Sequence, residues 1–186
     1  MKRIVILASG SGTLAQSIFD AGLEADIVAV ISDRKDAPVL DRAHKARIET
    51  FTIPMLPDRS EWDRELETLI AALKPDLVVS AGFMRILSER ITSKFKIINS
   101  HPALLPLFPG AHAVRDALAS GATETGTTIH WVDAGVDTGE VISQERVEIH
   151  PGDTEESLHE RIKIVERGLI VATIAKLLPT LEKING

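Results

Sequence analysis

The sequence predicts an α/β domain: a Rossmann-like, three-layer arrangement around a mostly parallel central sheet. Three observations carry that expectation. Short apolar runs of strand length alternate with longer amphipathic stretches. Within those stretches the apolar residues recur at helical spacing. A glycine-rich turn joins the first run to the first stretch. The 186 residues are 44% hydrophobic and 26% charged, enough to bury a substantial core, and no repeat, low-complexity tract or linker interrupts them. Residues 1–186 therefore read as a single domain.

The elements follow in order. Arg3–Ala8 is an apolar run of strand length, broken at Ser9-Gly10 too early for a signal peptide. From Thr13 to Gly22 a helix is expected, with Leu14, Ile18 and then Leu23 at near-helical spacing. Strands at Asp26–Ile31, Glu49–Thr52, Leu77–Ser80 and Lys96–Asn99 alternate with helices at Val39–Ala46, Arg59–Leu73 and Ser88–Thr92. The longest of these helices carries Trp62, Leu66, Leu69, Ile70 and Leu73 on one side. A short helix at His112–Ser120 precedes two strands, Thr127–Val132 and Glu140–Glu148, joined by a loop containing glycine. A closing helix runs from about Thr154 to Leu178, with Asp153 or Thr154 as cap and Pro179 as stop. Alternation of this kind implies right-handed crossovers and a sheet covered on both faces. Ligands of such sheets bind beyond the carboxyl ends of the strands, which points to Ser9–Thr13, Ala81–Leu87 and Asn99–Gly110.

Composition narrows the chemistry. With no cysteine, disulfides, thiolate catalysis and cysteine-bound metal are excluded, and the cytosol is a compatible compartment. A net charge of −6 and a pI near 5.5 argue against broad nucleic-acid binding. No apolar run approaches membrane-spanning length. The expectation is a cytoplasmic protein of small-molecule partners, with neither nucleic acid nor membrane among them.

The loop Gly10-Ser11-Gly12-Thr13-Leu14-Ala15 fits the G-x-G-x-x-A dinucleotide fingerprint. Asp33 stands about 20 residues further on, where a ribose-binding acid belongs. A nicotinamide oxidoreductase is one meaning of this segment. A second is more general: amides at a helix N-terminus, with the hydroxyls of Ser9, Ser11 and Thr13, hold any phosphate. A third is a tight turn that binds nothing.

Asn99-Ser100-His101-Pro102 follows an apolar strand. Residues two apart share a face of extended chain, so Asn99 and His101 project together, and Pro102 keeps His101 extended. An amide that donates to an oxyanion beside an imidazole that trades protons near neutral pH suits acyl-type transfer. A lone histidine there is more readily a structural core residue, but this one has company. The segment Ala103–His112 is too apolar for an ordinary surface loop and reads as a wall or lid of a pocket. Further on, Thr127–Gly139 carries His130, Asp133 and Asp137 around glycines. A carboxylate from that loop would orient His101 and stabilise its protonated form, although sequence distance alone does not bring Asp137 to His101.

Four stretches, in order, carry a resemblance. They are Ile4-Val5-Ile6-Leu7-Ala8-Ser9-Gly10-Ser11-Gly12, Ala81-Gly82-Phe83-Met84-Arg85-Ile86-Leu87-Ser88, Asn99-Ser100-His101-Pro102-Ala103-Leu104-Leu105-Pro106 and Asp137-Thr138-Gly139-Glu140-Val141-Ile142. Over nearly its whole length the chain resembles the phosphoribosylglycinamide formyltransferases, folate-dependent enzymes of purine synthesis. The resemblance implies the formyltransferase fold and transfer of a formyl group from 10-formyltetrahydrofolate, the co-substrate, to the amine of glycinamide ribonucleotide. It implies Asn99, His101 and Asp137 as catalytic residues. It assigns the phosphate to Gly10, Ser11, Gly12 and Thr13, and a contact with the nucleotide to Glu166. Met84, Arg85, Ile86 and Leu87, with the loop from Asp133 through Val136 to Asp137, would hold the pterin, largely through backbone groups. His130 matches a second family histidine, near the site or orienting the Asp137 loop. No metal is expected, since the histidines lack zinc-like spacing and asparagine is a poor ligand. A homo-oligomer is compatible with the reading.

Departures from the family pattern are confined to a few places. Thr13 runs straight into Leu14 where the family continues Gly-Ser-Asn-Leu, Leu107 replaces a polar or basic residue of some members, and the sequence ends soon after the last helix. Formyltetrahydrofolate hydrolases share the Asn, His and Asp set but normally add an N-terminal domain, for which this sequence has no room. Methionyl-tRNA formyltransferases add a C-terminal nucleic-acid-binding domain, and the acidic charge speaks against tRNA. A folate-binding scaffold would not need the trio intact. The NAD-dependent oxidoreductase accounts for one segment against four. Elsewhere, Arg59, Glu61, Asp63, Arg64, Glu65 and Glu67 read as a solvated helix face, Arg85 as a pocket-edge cap or ion-pair partner, and His44, His150 and His159 as surface residues.

Overall fold

A computed structural model describes residues 1–182. The strands are β1 (Lys2–Leu7), β2 (Ala25–Ser32), β3 (Thr50–Thr52), β4 (Leu77–Ser80), β5 (Ile97–His101), β6 (Glu124–Trp131) and β7 (Val141–Glu148). The helices are α1 (Thr13–Asp20), α2 (Pro38–Lys45), α3 (Arg59–Leu73), α4 (Glu89–Thr92), α5 (Ala113–Ala119) and α6 (Glu155–Leu177). All seven strands join one sheet in the order β3-β2-β1-β4-β5-β6-β7. The strands β1 to β5 pair in parallel, and β6 and β7 return antiparallel. The order reverses between β1 and β4, the crevice where sheets of this kind take their ligands.

The alternation of side chains along β1 creates the three layers. Ile4 and Ile6 face a cluster with Leu14, Ile18, Val39 and Ile174, under α1, α2 and α6. Val5 and Leu7 face the opposite cluster of Trp62, Leu66, Ile70 and Ile97, under α3. Both faces are covered, so β1 and β4 are continuous apolar runs.

Several boundaries differ from the expectation, each for a local reason. The β5 strand runs on to His101 because it keeps pairing with β6, Asn99 opposite His130 and His101 opposite Thr128. The expected end at Asn99 followed the apolar run, which stops before the pairing does. For the same reason β6 begins at Glu124 rather than Thr127. The first helix ends at Asp20, with Gly22 in the left-handed region just beyond. Thr154 is the cap of α6, in a capping box with Ser157, while Asp153 accepts two hydrogen bonds from Arg161. Pro179 lies just past the end of α6 at Leu177, as expected of a stop. It enters a 3-10 turn at Leu178–Thr180, near whose start a missing N–H costs nothing.

Gly12 holds the turn between β1 and α1 at φ 76. A Cβ there would lie 2.5 Å from Val39 Cγ2 and 2.8 Å from Val39 Cα, so α2 presses directly on the loop. Overpacking and the left-handed penalty act together at this position. Gly12→Ala is expected to destabilise the fold by about 2–4 kcal/mol in equilibrium denaturation. A loss below about 0.5 kcal/mol, the scale of a neutral surface change, would contradict the packing argument.

Candidate active site

A cleft of about 490 Å³ opens over the carboxyl ends of β1, β4 and β5. All three segments picked out by strand polarity line it: the Gly10–Thr13 loop, the stretch after β4, and the end of β5 with the residues just beyond it. The loop between β6 and β7 and one face of α6 complete the wall.

At its centre Asn99 and His101 project from β5 on the same side, His101 buried and Asn99 half-buried. Asp137 comes from the β6–β7 loop, and its Oδ2 lies 3.4 Å from His101 Nδ1. The same oxygen accepts a hydrogen bond from the Gly110 amide at 2.8 Å. Asp137 Oδ1 is 3.6 Å from His130 Nε2. The facing His130 imidazole is the main cause holding the Asp137 carboxyl below its ordinary range. The Gly110 amide and the nearby His101 add to it, against a contrary push from burial. His130 Nδ1–H donates to the Trp131 carbonyl at 2.9 Å. That fixes the ring and leaves Nε2, in the neutral form, to accept from Asn99 Nδ2 at 3.3 Å.

His101 Nε2–H donates to the Phe108 carbonyl at 2.8 Å. Both imidazole nitrogens therefore face protein acceptors. The apolar segment Ala103–His112 does reach the face that carries Asn99 and His101, but through this backbone carbonyl; Leu107 at its tip is 57% exposed.

The two loop carboxylates have separate tasks. Asp133 Oδ1 accepts from the Gly135 amide at 3.0 Å and the Thr138 hydroxyl at 2.6 Å, closing the loop on itself. Only Asp137 turns inward. Val136 between them is half-exposed at the cleft.

Residues 2–174 of the chain match the formyl transferase family. The chain belongs to that family. Among similar proteins, the phosphoribosylglycinamide formyltransferase of Mycobacterium tuberculosis is 49% identical over 182 residues, covering 94% of this chain and 84% of that one. The Escherichia coli K12 phosphoribosylglycinamide formyltransferase is 39% identical over 180 residues, 92% of this chain and 85% of that one. The crystal structure of phosphoribosylglycinamide formyltransferase from Bacillus halodurans superposes with a TM-score of 0.92 at 37% identity, covering 98% of both chains.

Within this formyl transferase the remaining expected positions can be placed. Gly10, Ser11, Gly12 and Thr13 line one end of the cleft, with Ser11 exposed and Thr13 opening α1. Leu14, which follows Thr13 directly, is buried in the core. Met84 and Ile86 are exposed along the opposite wall, while Leu87 is buried beneath it. Arg85 pairs with Asp33, Nε to Oδ2 at 2.7 Å. The ribose-binding role for Asp33 is thereby overturned: its other oxygen accepts from the Ser9 hydroxyl at 2.6 Å, so neither faces a ligand.

Glu166 is half-buried at the cleft, and burial pushes its carboxyl up to about 7. It shares the α6 face with His159, Lys163 and Arg167, all lining the cleft. His159 is thus a half-buried cleft residue, and its expected surface position is corrected. The spacing of 159, 163 and 166/167 was the signal available, one helical face in steps of three or four. Two arginines also carry roles that the sequence did not show. Arg42 Nε donates to the Ser11 carbonyl at 2.8 Å and braces the glycine loop. Arg59, expected on a solvated face, donates to the Ile86 carbonyl, pairs with Asp63 and covers the buried Trp62 ring.

The raised Glu166 carboxyl sets a pH signature. Its folded state holds the proton more tightly than the unfolded chain, so its contribution to stability is complete below about 4.3 and is lost as pH rises towards 7. Comparing urea unfolding at pH 4 and pH 8, Glu166→Gln is expected to gain roughly 1–3 kcal/mol on the wild type across that window. Identical pH slopes for the two proteins would contradict the burial assigned to this carboxyl.

Proposed function

We infer that this formyl transferase moves the formyl group of 10-formyltetrahydrofolate onto the primary amine of glycinamide ribonucleotide, the step of purine biosynthesis that its relatives are named for. The observation that carries the inference is the meeting of Asn99, His101 and Asp137 at one end of the sheet, in a chain that matches the family over residues 2–174.

The proposed chemistry needs no protein nucleophile. The neutral amine attacks the formyl carbon, and the carbonyl oxygen becomes an oxyanion in a tetrahedral intermediate. Asn99 Nδ2 has two hydrogens and spends one on His130, leaving the second for that oxygen. His101 donates from Nε2 when the formyl oxygen takes the place of the Phe108 carbonyl, while Asp137 holds Nδ1. The intermediate collapses by breaking the carbon–nitrogen bond to the folate. The amine's proton passes to the departing folate nitrogen, with Asp137 and His101 as relay. His130 fixes Asn99 and shares Asp137.

The substrate sites belong to the same proposal. Gly10, Ser11, Gly12 and Thr13 offer backbone amides and hydroxyls at the N-terminus of the eight-residue α1 to the nucleotide phosphate. Glu166, partly ionised near neutral pH, accepts a hydrogen bond from the nucleotide. Met84, Arg85, Ile86 and Leu87, with Asp133, Val136 and Asp137, form the folate wall; the exposed apolar side chains of Met84, Ile86 and Val136 suit a flat heterocycle. The co-substrate is the reduced folate, and no metal is assigned a role. Residues 1–186 are taken as one domain, supported by a single sheet that includes every strand of the described residues. Among those residues no helix is long and apolar enough to cross a membrane. The proposed setting is the cytoplasm with small-molecule partners, no nucleic acid and no membrane, and a homo-oligomer is compatible with it.

Formyl transfer from 10-formyltetrahydrofolate to glycinamide ribonucleotide, followed with and without the amine, tests this directly. Product is expected only with both substrates, undiminished by EDTA; donor hydrolysis without the amine would instead favour a formyltetrahydrofolate hydrolase. His101→Ala and Asn99→Ala are each expected to lower kcat by about 10²–10³, the cost of one oxyanion donor. Turnover within a few-fold of wild type in either would sink the assignment.

A further inference from the structure

Asp33 is an acid that the mechanism does not use, although it lies beside the cleft. Its side chain is 1% exposed. A carboxylate so withdrawn from water is tolerated only with partners, and both of its oxygens have one. The Arg85 guanidinium donates from Nε to Oδ2 at 2.7 Å. The Ser9 hydroxyl donates to Oδ1 at 2.6 Å, and Ser9 Oγ in turn accepts from the Met84 amide at 2.9 Å. Two consecutive residues of the wall after β4 are thus tied, one by side chain and one by backbone, to a single buried carboxylate at the end of β2.

On either side the wall has other ties, the Ser9 amide to the Gly82 carbonyl and Arg59 to the Ile86 carbonyl, but the Met84 amide and the Arg85 side chain are held through Asp33 and Ser9. Phe83 before it stacks on Trp62, and Leu87 after it is buried. Between these anchors, Met84 is 73% and Ile86 59% exposed, so packing does not set the intervening backbone. Polar bonds must do so. By contrast the glycine loop on the other side of the cleft is held independently of Asp33: the Val39 amide donates to the Gly10 carbonyl at 3.1 Å, and Arg42 donates to the Ser11 carbonyl.

We propose that Asp33 is a positioning residue for the formyl-donor half of the cleft, acting through Ser9 and Arg85. The proposal rests on the reading of Met84–Leu87 as the folate wall. In this role Asp33 touches no substrate. It fixes the direction of the Met84 amide and of the Arg85 side chain before the folate arrives, so its removal weakens donor binding and leaves acceptor binding and the chemical step largely intact.

The test is steady-state formyl transfer in which each substrate is varied in turn, for Asp33→Ala, Asp33→Asn and Ser9→Ala. Asp33→Ala is expected to raise KM for 10-formyltetrahydrofolate about tenfold, with KM for glycinamide ribonucleotide within about twofold and kcat within about threefold, the pattern of lost uniform binding. Asp33→Asn keeps the shape, accepts from Arg85 and donates to Ser9 Oγ, so it should restore donor KM to within about threefold of wild type. Ser9→Ala should raise donor KM selectively, and with Asp33→Asn it decides the matter if Asp33→Ala does not fold. Unchanged donor KM, an equal rise in both KM values, or a fall in kcat alone would overturn the proposal. Hydrogen exchange on the wild type separates its failure from that of the underlying reading. If 10-formyltetrahydrofolate alone fails to protect residues 82–87, the folate wall is wrong. If it protects them while the variants keep wild-type donor KM, only the role of Asp33 is wrong.

Discussion

The site depends on one carboxylate held in an unfavourable backbone. Asp137 sits at φ 54, a left-handed conformation that costs a non-glycine residue about 1–2 kcal/mol. Its surroundings over-determine it. Oδ2 lies between His101 and the Gly110 amide, and Oδ1 faces His130. Behind it the loop is closed by Asp133, Thr138 and Gly135, and Gly139 lies so close to the Trp131 carbonyl that no side chain fits. Strand β5, strand β6, the segment after β5 and the β6–β7 loop all meet at this group. A strained residue so held is a sign that its direction matters more than its local energy.

The reversal of strand direction after β5 makes the meeting possible. Parallel strands deliver the glycine loop, the Met84–Leu87 wall and Asn99 to one end of the sheet. An antiparallel partner then sets His130 directly opposite Asn99. It starts beside the carboxyl end of β5 and runs away from it, Thr128 opposite His101 and Trp131 opposite Ile98, and the loop after it turns back so that Asp137 reaches His101.

How much of this was legible in sequence depends on the range of each interaction. Buried β1 and β4 and the apolar stripe of α3 are local patterns, and they appear where periodicity puts them. The shared face of Asn99 and His101 follows from a period of two. The strand's continuation to His101 does not, because cross-strand pairing rather than hydrophobicity sets its end. The approach of Asp137 to His101 joins distant segments and is implied only by resemblance. Asp33 misleads, since it occupies the position of a ribose-binding acid, and its actual partner Arg85 is 52 residues away. His159 of α6 looks like a surface residue in sequence because a helical charge pattern does not say whether water or a cleft lies opposite. In the fold it lines the cleft, whereas Arg59 of α3 stays exposed and reaches only the back of the wall, at the Ile86 carbonyl.

The central claim is that His101 and Asp137 act as one unit rather than as two independent groups. A double-mutant cycle of His101→Ala and Asp137→Ala, read as kcat/KM for formyl transfer, tests it most directly. Residues acting together are strongly non-additive, so the double variant is expected within about threefold of the worse single variant. A double variant impaired by the full product of the two single losses would contradict the account.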